Sequence, residues 1–113
     1  MEEMEEEIIG DIIRNLSKLV ILWSISRKTQ SGYSVIKEME RVTGQSFHPG
    51  IVYPLLYKLE EDGFITGECI QKGRKRTKYY SLTEKGRELL NHMGKLFELP
   101  LRAALQDFLE ENL

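Results

Sequence analysis

Five basic side chains with no acid among them fall within residues 70–80: Lys72, Arg74, Lys75, Arg76 and Lys78. Lysines and arginines at this density can neutralise the phosphates of a nucleic acid, which positions a protein without reading sequence. A charge run is also typical of an ordinary solvated hairpin. We expect DNA contact because this run directly follows the pattern of a helix-turn-helix.

The helix predicted over residues 49–62 is the candidate for insertion into the major groove. Its outward face is predicted to contain Gly50, Tyr53, Tyr57 and Lys58. Gly50 would allow close approach and leave first-turn amides free to face a phosphate. Tyrosine hydroxyls can bond phosphate oxygens or base edges, although both rings could instead pack on the core. Tyr33 lies at the start of the preceding helix, where it could contact a phosphate or pack on the core.

Few arginine, asparagine or glutamine residues lie on this helix for bidentate base readout. Sequence preference would then depend on DNA shape, water and the hairpin. The net charge of −2 does not oppose DNA binding, because six acids and no base lie within residues 1–13.

The elements that would position these groups follow from periodicity and capping residues. A first helix is predicted over residues 5–27, and a second from the N-cap Ser31 to Gly44. The third begins at Pro49, tolerates Pro54 with a slight distortion, and buries Ile51, Val52, Leu55, Leu56 and Leu59. The runs 64–70 and 77–82 form a hairpin with a basic tip at 71–76. Thr83 caps a last helix over 83–113, kinked near Pro100.

The fold class is therefore mainly α with a small β-hairpin: a winged helix-turn-helix in one domain, 1–113, with long N- and C-terminal dimerisation helices. The last helix, about 45 Å long, exceeds what so small a core needs. We expect the terminal helices to pair two copies through Ile9, Ile13, Leu16, Trp23, Met93, Phe97, Leu101, Leu105 and Phe108.

Several single residues are expected to be structural. Trp23 could stack on a planar aromatic ligand, but we favour burial in the dimer interface. Met39 and Met93 are read as core fillers and Cys69 as a small buried residue. Tyr79 and Tyr80 alternate along a strand, so one should point inward.

The sequence gives little support for an enzyme or for a metal-binding protein. His48 and His92 are far apart without cysteine partners, so no metal site is expected. No nucleophile or phosphate-cradling motif occurs, so no enzyme and no cofactor are expected. The longest apolar run, residues 19–23, is too short to span a bilayer. With one cysteine and an acidic start, the chain is expected to be cytoplasmic, without a membrane partner.

Three stretches resemble the PadR family of transcriptional regulators: SGYSVIKEME (31–40), HPGIVYPLLYKLEEDGFI (48–65) and GRKRTKYYSLTEKGRELL (73–90). The resemblance covers about residues 19–90. Its motifs are Gly32-Tyr33, Pro49-Gly50 to Tyr53-Pro54, Leu59 to Gly63, Tyr79-Tyr80 and Leu82 to Gly86. One departure is His48, where such sequences commonly place a serine cap, although imidazole can still accept from a helix amide.

The resemblance implies a winged-helix dimer held by its first and last helices, which usually represses transcription and often responds to phenolic acids or drugs. The single C-terminal helix resembles the small branch of the family. We expect a sequence-specific repressor that binds a palindromic operator in double-stranded DNA as a homodimer. The alternatives are a ligand-gated sensor with a small aromatic effector between the subunits, and a winged-helix module that binds protein.

Overall fold

The computed structural model describes residues 2–112. Two helices and a very short strand precede the third helix, a hairpin follows it, and a long interrupted helix ends the described chain. The elements are α1 (Glu2–Arg27), β1 (Gln30–Ser31), α2 (Gly32–Thr43), α3 (Pro49–Glu61), β2 (Ile65–Lys72), β3 (Lys75–Leu82), α4 (Glu84–Leu96), a π-turn (Phe97–Leu101) and α5 (Arg102–Asn112).

Capping side chains set the helix limits as predicted. Ser31 Oγ accepts from the Ser34 amide at 3.1 Å, and α2 ends at Gly44, which has a left-handed φ of 70°. Thr83 Oγ1 accepts from the Gly86 amide at 3.0 Å at the start of α4. His48 does cap α3, since its Nδ1 accepts from the Gly50 amide at 2.9 Å.

The hairpin belongs to a three-stranded antiparallel sheet of order β1-β3-β2. β1 was not predicted because a strand of two residues shows no periodicity. The Gln30 side-chain amide holds this residue in place by donating to the Ser24 carbonyl at 2.7 Å. The expected six-residue tip at 71–76 is wrong, because Lys72 already pairs with Lys75. Gly73, with φ 63°, supplies the left-handed first position of a two-residue turn.

The core lies between α1, α2, α3 and the base of the sheet. Val52, Leu55, Leu56 and Leu59 are buried as predicted, whereas Ile51 is not, with 53% of its surface exposed. Met39 is fully buried, as expected of a core filler. Tyr80 is buried and Tyr79 half-buried, which confirms their alternation. Cys69 is exposed, so its predicted burial is wrong.

α1 divides into a buried half and a projecting half. Its core residues are Ser17, Ile21, Leu22, Ser24 and Ile25. Leu22 and Ile25 are almost completely buried within this set. Between residues 2 and 16 every residue is exposed except Gly10, which is half-buried.

The end of the long helix also projects. α5 has no buried residue, and the irregularity predicted near Pro100 takes the form of the π-turn. The described part of the chain extends over 55 × 31 × 25 Å. Among residues 2–112, no helix has the length and apolarity needed to cross a membrane.

Candidate nucleic-acid interface

A groove of about 400 Å³ brings most of the predicted contact residues together. It lies between the start of α2, the outer face of α3 and strand β3. Tyr33, Tyr53, Tyr57, Tyr79 and Tyr80 line it together with Ser31, Gly32 and residues 75–78. We call it the tyrosine groove, and we call the hairpin of β2 and β3 (residues 65–82) the wing.

The three predicted tyrosines differ in how firmly they are held. Tyr53 is half-buried, and its ring packs against the core, which was the alternative to DNA contact for this residue. A Cβ on Gly32 would lie only 2.6 Å from Tyr53 Cε1, so the ring rests directly on that glycine. Tyr57 is 55% exposed, with its ring centroid 6.2 Å from that of Tyr53. Tyr33 is 66% exposed, so core packing is wrong for this residue.

The wing adds positive charge beside these phenols. Lys72, Arg74, Lys75 and Arg76 are all exposed. Within the described residues, none of the four has an acidic oxygen within 4.0 Å. Their charges are therefore available to an anionic partner, and Lys75 and Arg76 line the tyrosine groove itself.

Gly50 and Lys58 do not line the tyrosine groove. Gly50 instead borders a cleft against Gly10, Ile13 and Arg14 of α1. Lys58 forms an ion pair with Asp62, at 3.3 Å between Nζ and Oδ1. The predicted DNA contacts of these two residues stay predictions.

The free first-turn amides expected at α3 are absent from the described structure. The Gly50 amide donates to His48 Nδ1, and the amides of Ile51 and Val52 donate to the His48 carbonyl at 2.9 and 3.2 Å. Pro49 has no amide hydrogen. The histidine cap is the physical reason, because its imidazole takes the donor that a phosphate would need.

Lys78 is paired rather than free. Its Nζ donates to Glu60 Oε1 at 2.7 Å, and this hydrogen bond raises the pKa of the lysine. Burial raises the pKa of the neighbouring Tyr80 phenol, so that phenol stays neutral at physiological pH. A DNA contact by Lys78 also stays a prediction.

Sequence reasoning missed two residues that shape this interface, Gly32 and Glu60. Gly32 stood in a quoted motif, but only the close contact with Tyr53 shows why a side chain is excluded there. Glu60 gave no signal of its own, because its partners lie on other elements.

Five of the nine residues predicted for the dimer interface are well exposed apolar side chains. Ile9, Ile13 and Leu16 on α1 and Leu105 and Phe108 on α5 are between 43% and 58% exposed. The remaining four are partly or largely covered: Met93, Phe97 and Leu101 are half-buried, and Trp23 is 37% exposed.

A second, apolar groove of about 450 Å³ lies between α1 and the α4 region. It is lined by Leu19, Val20, Trp23, Leu90, Gly94 and Phe97. The Arg27 guanidinium stands 5.0 Å from the Trp23 ring centroid. In the described portion, no three His, Cys, Asp or Glu residues cluster as metal ligands would.

A three-helix core followed by a β-hairpin, with the third helix exposed beside that hairpin, defines a winged-helix protein. The family model for the PadR-like family of transcriptional regulators matches residues 21–92. The Escherichia coli (strain K12) transcriptional regulator YqjI is 34% identical over 84 residues, covering 73% of this chain and 39% of that protein. The chain belongs to the PadR-like family, whose members are transcriptional regulators rather than enzymes.

Solved structures agree with this assignment. A PadR-like transcription factor from Bacteroides fragilis has the same fold, with a TM-score of 0.79 at 18% identity over 90% of this chain and 98% of that one. Bacillus subtilis PadR, solved in complex with operator DNA, has a TM-score of 0.62 at 32% identity over 67% of this chain and 45% of that one. The chain spans about two fifths of the length of the curated relatives it matches.

Proposed function

We propose that this chain binds double-stranded DNA as a homodimer and represses transcription from a roughly palindromic operator. Tyr33, Tyr53 and Tyr57 contact the DNA from the tyrosine groove, and the wing bases Lys72, Arg74, Lys75 and Arg76 bind the flanking backbone. A regulator of chromosomal genes acts in the cytoplasm, which we propose as its location.

The observation that supports this proposal best is the juxtaposition of uncompensated wing bases with the tyrosines of α2 and α3. Lys75 and Arg76 share one groove with all three predicted tyrosines. A surface of this kind offers phosphate contacts from the wing and hydroxyl donors from α3 at the same time. The complex of Bacillus subtilis PadR with operator DNA lends further support from a relative.

The projecting halves of α1 and α5 support the homodimer. Apolar side chains such as Ile12 and Phe108 remain more than 50% exposed. Exposed apolar side chains gathered on projecting helices are typical of an interaction surface. Two copies related by a two-fold axis would place their α3 helices in successive major grooves, about 34–36 Å apart.

The test begins with selection of bound fragments from the source genome, followed by binding isotherms on the selected duplex. A dimer making roughly 6–10 phosphate contacts would lose about 10³–10⁵ in affinity between about 50 and 200 mM salt. Failure of the pure chain to bind any DNA in a salt-dependent manner would refute the proposal. Capture of a protein partner, lost when the wing is neutralised, would then favour the protein-binding alternative.

Neutralising single wing arginines tests the proposed roles. Each lost phosphate contact lowers the salt slope by about 0.9, and a dimer loses two, so Arg74→Ala or Arg76→Ala should flatten the slope by about 1.8. Both variants should weaken cognate and unrelated duplexes about equally. A loss confined to the cognate sequence would show base readout instead.

A second candidate function, ligand-gated regulation, is favoured by the apolar groove beside Trp23. Its volume of about 450 Å³ lies in the range of small-molecule sites, and its lining is apolar. A planar aromatic effector should quench Trp23 fluorescence saturably and weaken DNA binding. Linear quenching without saturation would remove this candidate.

A further inference from the structure

Glu60, near the C-terminal end of α3, contacts both strands of the wing through its two carboxylate oxygens. Oε1 accepts from Lys78 Nζ on β3 at 2.7 Å, and Oε2 accepts from the Gly67 amide on β2 at 3.1 Å. Gly67 lies on an edge strand of the sheet. One side chain of the DNA-inserting helix therefore joins that helix to the hairpin that flanks it.

The lysine of this pair lies beside two of the interface tyrosines. Its Nζ lies 5.3 Å from the Tyr80 ring centroid and 6.0 Å from that of Tyr57. The lysine side chain is 36% exposed and that of Glu60 is 29% exposed. Because both side chains are partly withdrawn from water, their attraction is screened less than that of a fully exposed ion pair.

Gly67 provides independent evidence that this packing is close. A Cβ at this position would lie 2.2 Å from Lys78 Cε and 2.9 Å from Glu60 Oε2. The lysine stem thus lies directly against the backbone of β2, in space that any side chain would fill. A side chain at residue 67 would displace the end of Lys78 and the Glu60 carboxylate from their present positions.

On its β2 side, few residues of the wing are covered beyond the base. In β2, Ile65 is buried and Gly67 is half-buried, and all six other residues are exposed. The tip at Gly73 lies six residues beyond Gly67, about 20 Å along a strand. A pivot of roughly 10° at the base would then move the tip by about 3.5 Å, enough to break a phosphate contact.

We propose that Glu60 is a positioning residue that fixes the angle of the wing to α3 by binding Lys78 and the Gly67 amide. This inference rests on the proposed DNA binding. It also assigns Lys78 a different role from its four basic neighbours: its charge is used by Glu60 and does not neutralise a phosphate. Glu60 carries a negative charge beside a DNA surface because its carboxylate anchors the wing through Lys78 and the Gly67 amide.

The direction in which one substitution changes the DNA affinity separates this role from simple electrostatics. Removing an acid near DNA should tighten binding if charge alone matters. We expect Glu60→Gln to weaken binding to a labelled mixed-sequence duplex by about tenfold, within the range of coupled residues. The matched control is Glu61→Gln, which removes the same charge from an exposed neighbour and should bind equally or more tightly. Glu60→Gln binding as tightly as Glu61→Gln would overturn the proposal.

Lys78→Met provides a second variant in case the first does not fold. It should weaken binding while leaving the salt slope unchanged, whereas Lys75→Gln should flatten the slope by about 1.8. The double variant of Glu60 and Lys78 should lose no more affinity than either single one. A slope for Lys78→Met as flat as that of Lys75→Gln would overturn the proposal.

The anchor can be measured without DNA, which separates its failure from failure of the proposed function. Hydrogen exchange at the Gly67 amide, followed by NMR on the full chain, should accelerate at least tenfold in Glu60→Ala but not in Glu61→Ala. An unchanged Gly67 exchange rate in Glu60→Ala would refute the anchor even if the parent binds DNA. A parent that does not bind DNA would refute the function alone.

Discussion

The same substitution at two glycines of α4 should change stability in opposite directions. Gly86 is buried where α4 leaves the sheet, and an added Cβ would lie 2.0 Å from the Phe64 carbonyl oxygen. Real Cβ atoms essentially never approach closer than 3.0 Å, so the backbone would have to move by at least 1 Å, the difference of these two distances. Gly94, eight residues along the same helix, would meet nothing within 4 Å.

The Phe64 carbonyl cannot move freely, because it accepts from the Thr83 amide at 3.2 Å. The Phe64 amide is also engaged, with the Leu59 carbonyl at 2.9 Å. Overpacking against a fixed backbone costs about 3 kcal/mol, the upper part of its usual range. The higher helix propensity of alanine offsets about 1 kcal/mol of this cost, so Gly86→Ala should lower the free energy of unfolding by about 2 kcal/mol. Gly94→Ala should raise it by about 0.5–1 kcal/mol.

Urea denaturation followed by circular dichroism measures both changes. With a slope of about 2 kcal/mol/M, the midpoint should fall by about 1 M for Gly86→Ala. Because Gly94 lines the apolar groove, the series is repeated at tenfold dilution to separate folding from subunit association. A Gly86→Ala midpoint equal to that of the parent would show that the Phe64 carbonyl yields, and the reasoning from close contact would be wrong.

Three further measurements test other contacts of the fold. Thr83→Ala removes the N-cap of α4 and should cost about 1 kcal/mol in the same denaturation assay, whereas Thr83→Ser should not. Met39→Ala opens a fully buried site and should cost about 2–5 kcal/mol. The side-chain hydrogen bond from Arg41 holds the pKa of Glu38 below its ordinary value, so its stabilising effect is present at neutral pH and is lost as the pH falls through that lowered pKa. In Arg41→Gln, a carboxyl NMR titration of Glu38 should move upward, and an unmoved curve would contradict this cause.

Much of the fold could be predicted because local residues determine helix ends. Ser31, Gly44 and Thr83 carry the capping chemistry in their own side chain or backbone freedom, so their roles do not depend on the rest of the molecule. The alternation of Tyr79 and Tyr80 likewise follows from strand geometry alone. The wing bases and the tyrosines of α2 and α3 could be grouped because the winged-helix topology brings these elements together.

What could not be predicted depends on contacts distant in sequence. Apolar residues cover several sides of α1, so periodicity cannot tell that Leu22 and Ile25 face the core while Ile9 stays open. Cys69 looked buried by residue type, but the wing leaves the core soon after Ile65 and both of its faces meet solvent. The free amide expected at Gly50 depended on the residue two positions before it, because the His48 imidazole accepts from that amide.

The π-turn at Phe97–Leu101 affects the rotational phase of the helix that follows it. Residues four apart, such as Met93, Phe97, Leu101 and Leu105, drift steadily around an α-helix of 3.6 residues per turn. A wider i→i+5 turn takes in an additional residue and rotates the following residues backward. The turn therefore compensates the drift and realigns the apolar side chains of α5 with those of α4. Deleting a single residue from this turn would remove the additional residue, so the last eleven-residue helix would continue a regular α-helix and stay on that line.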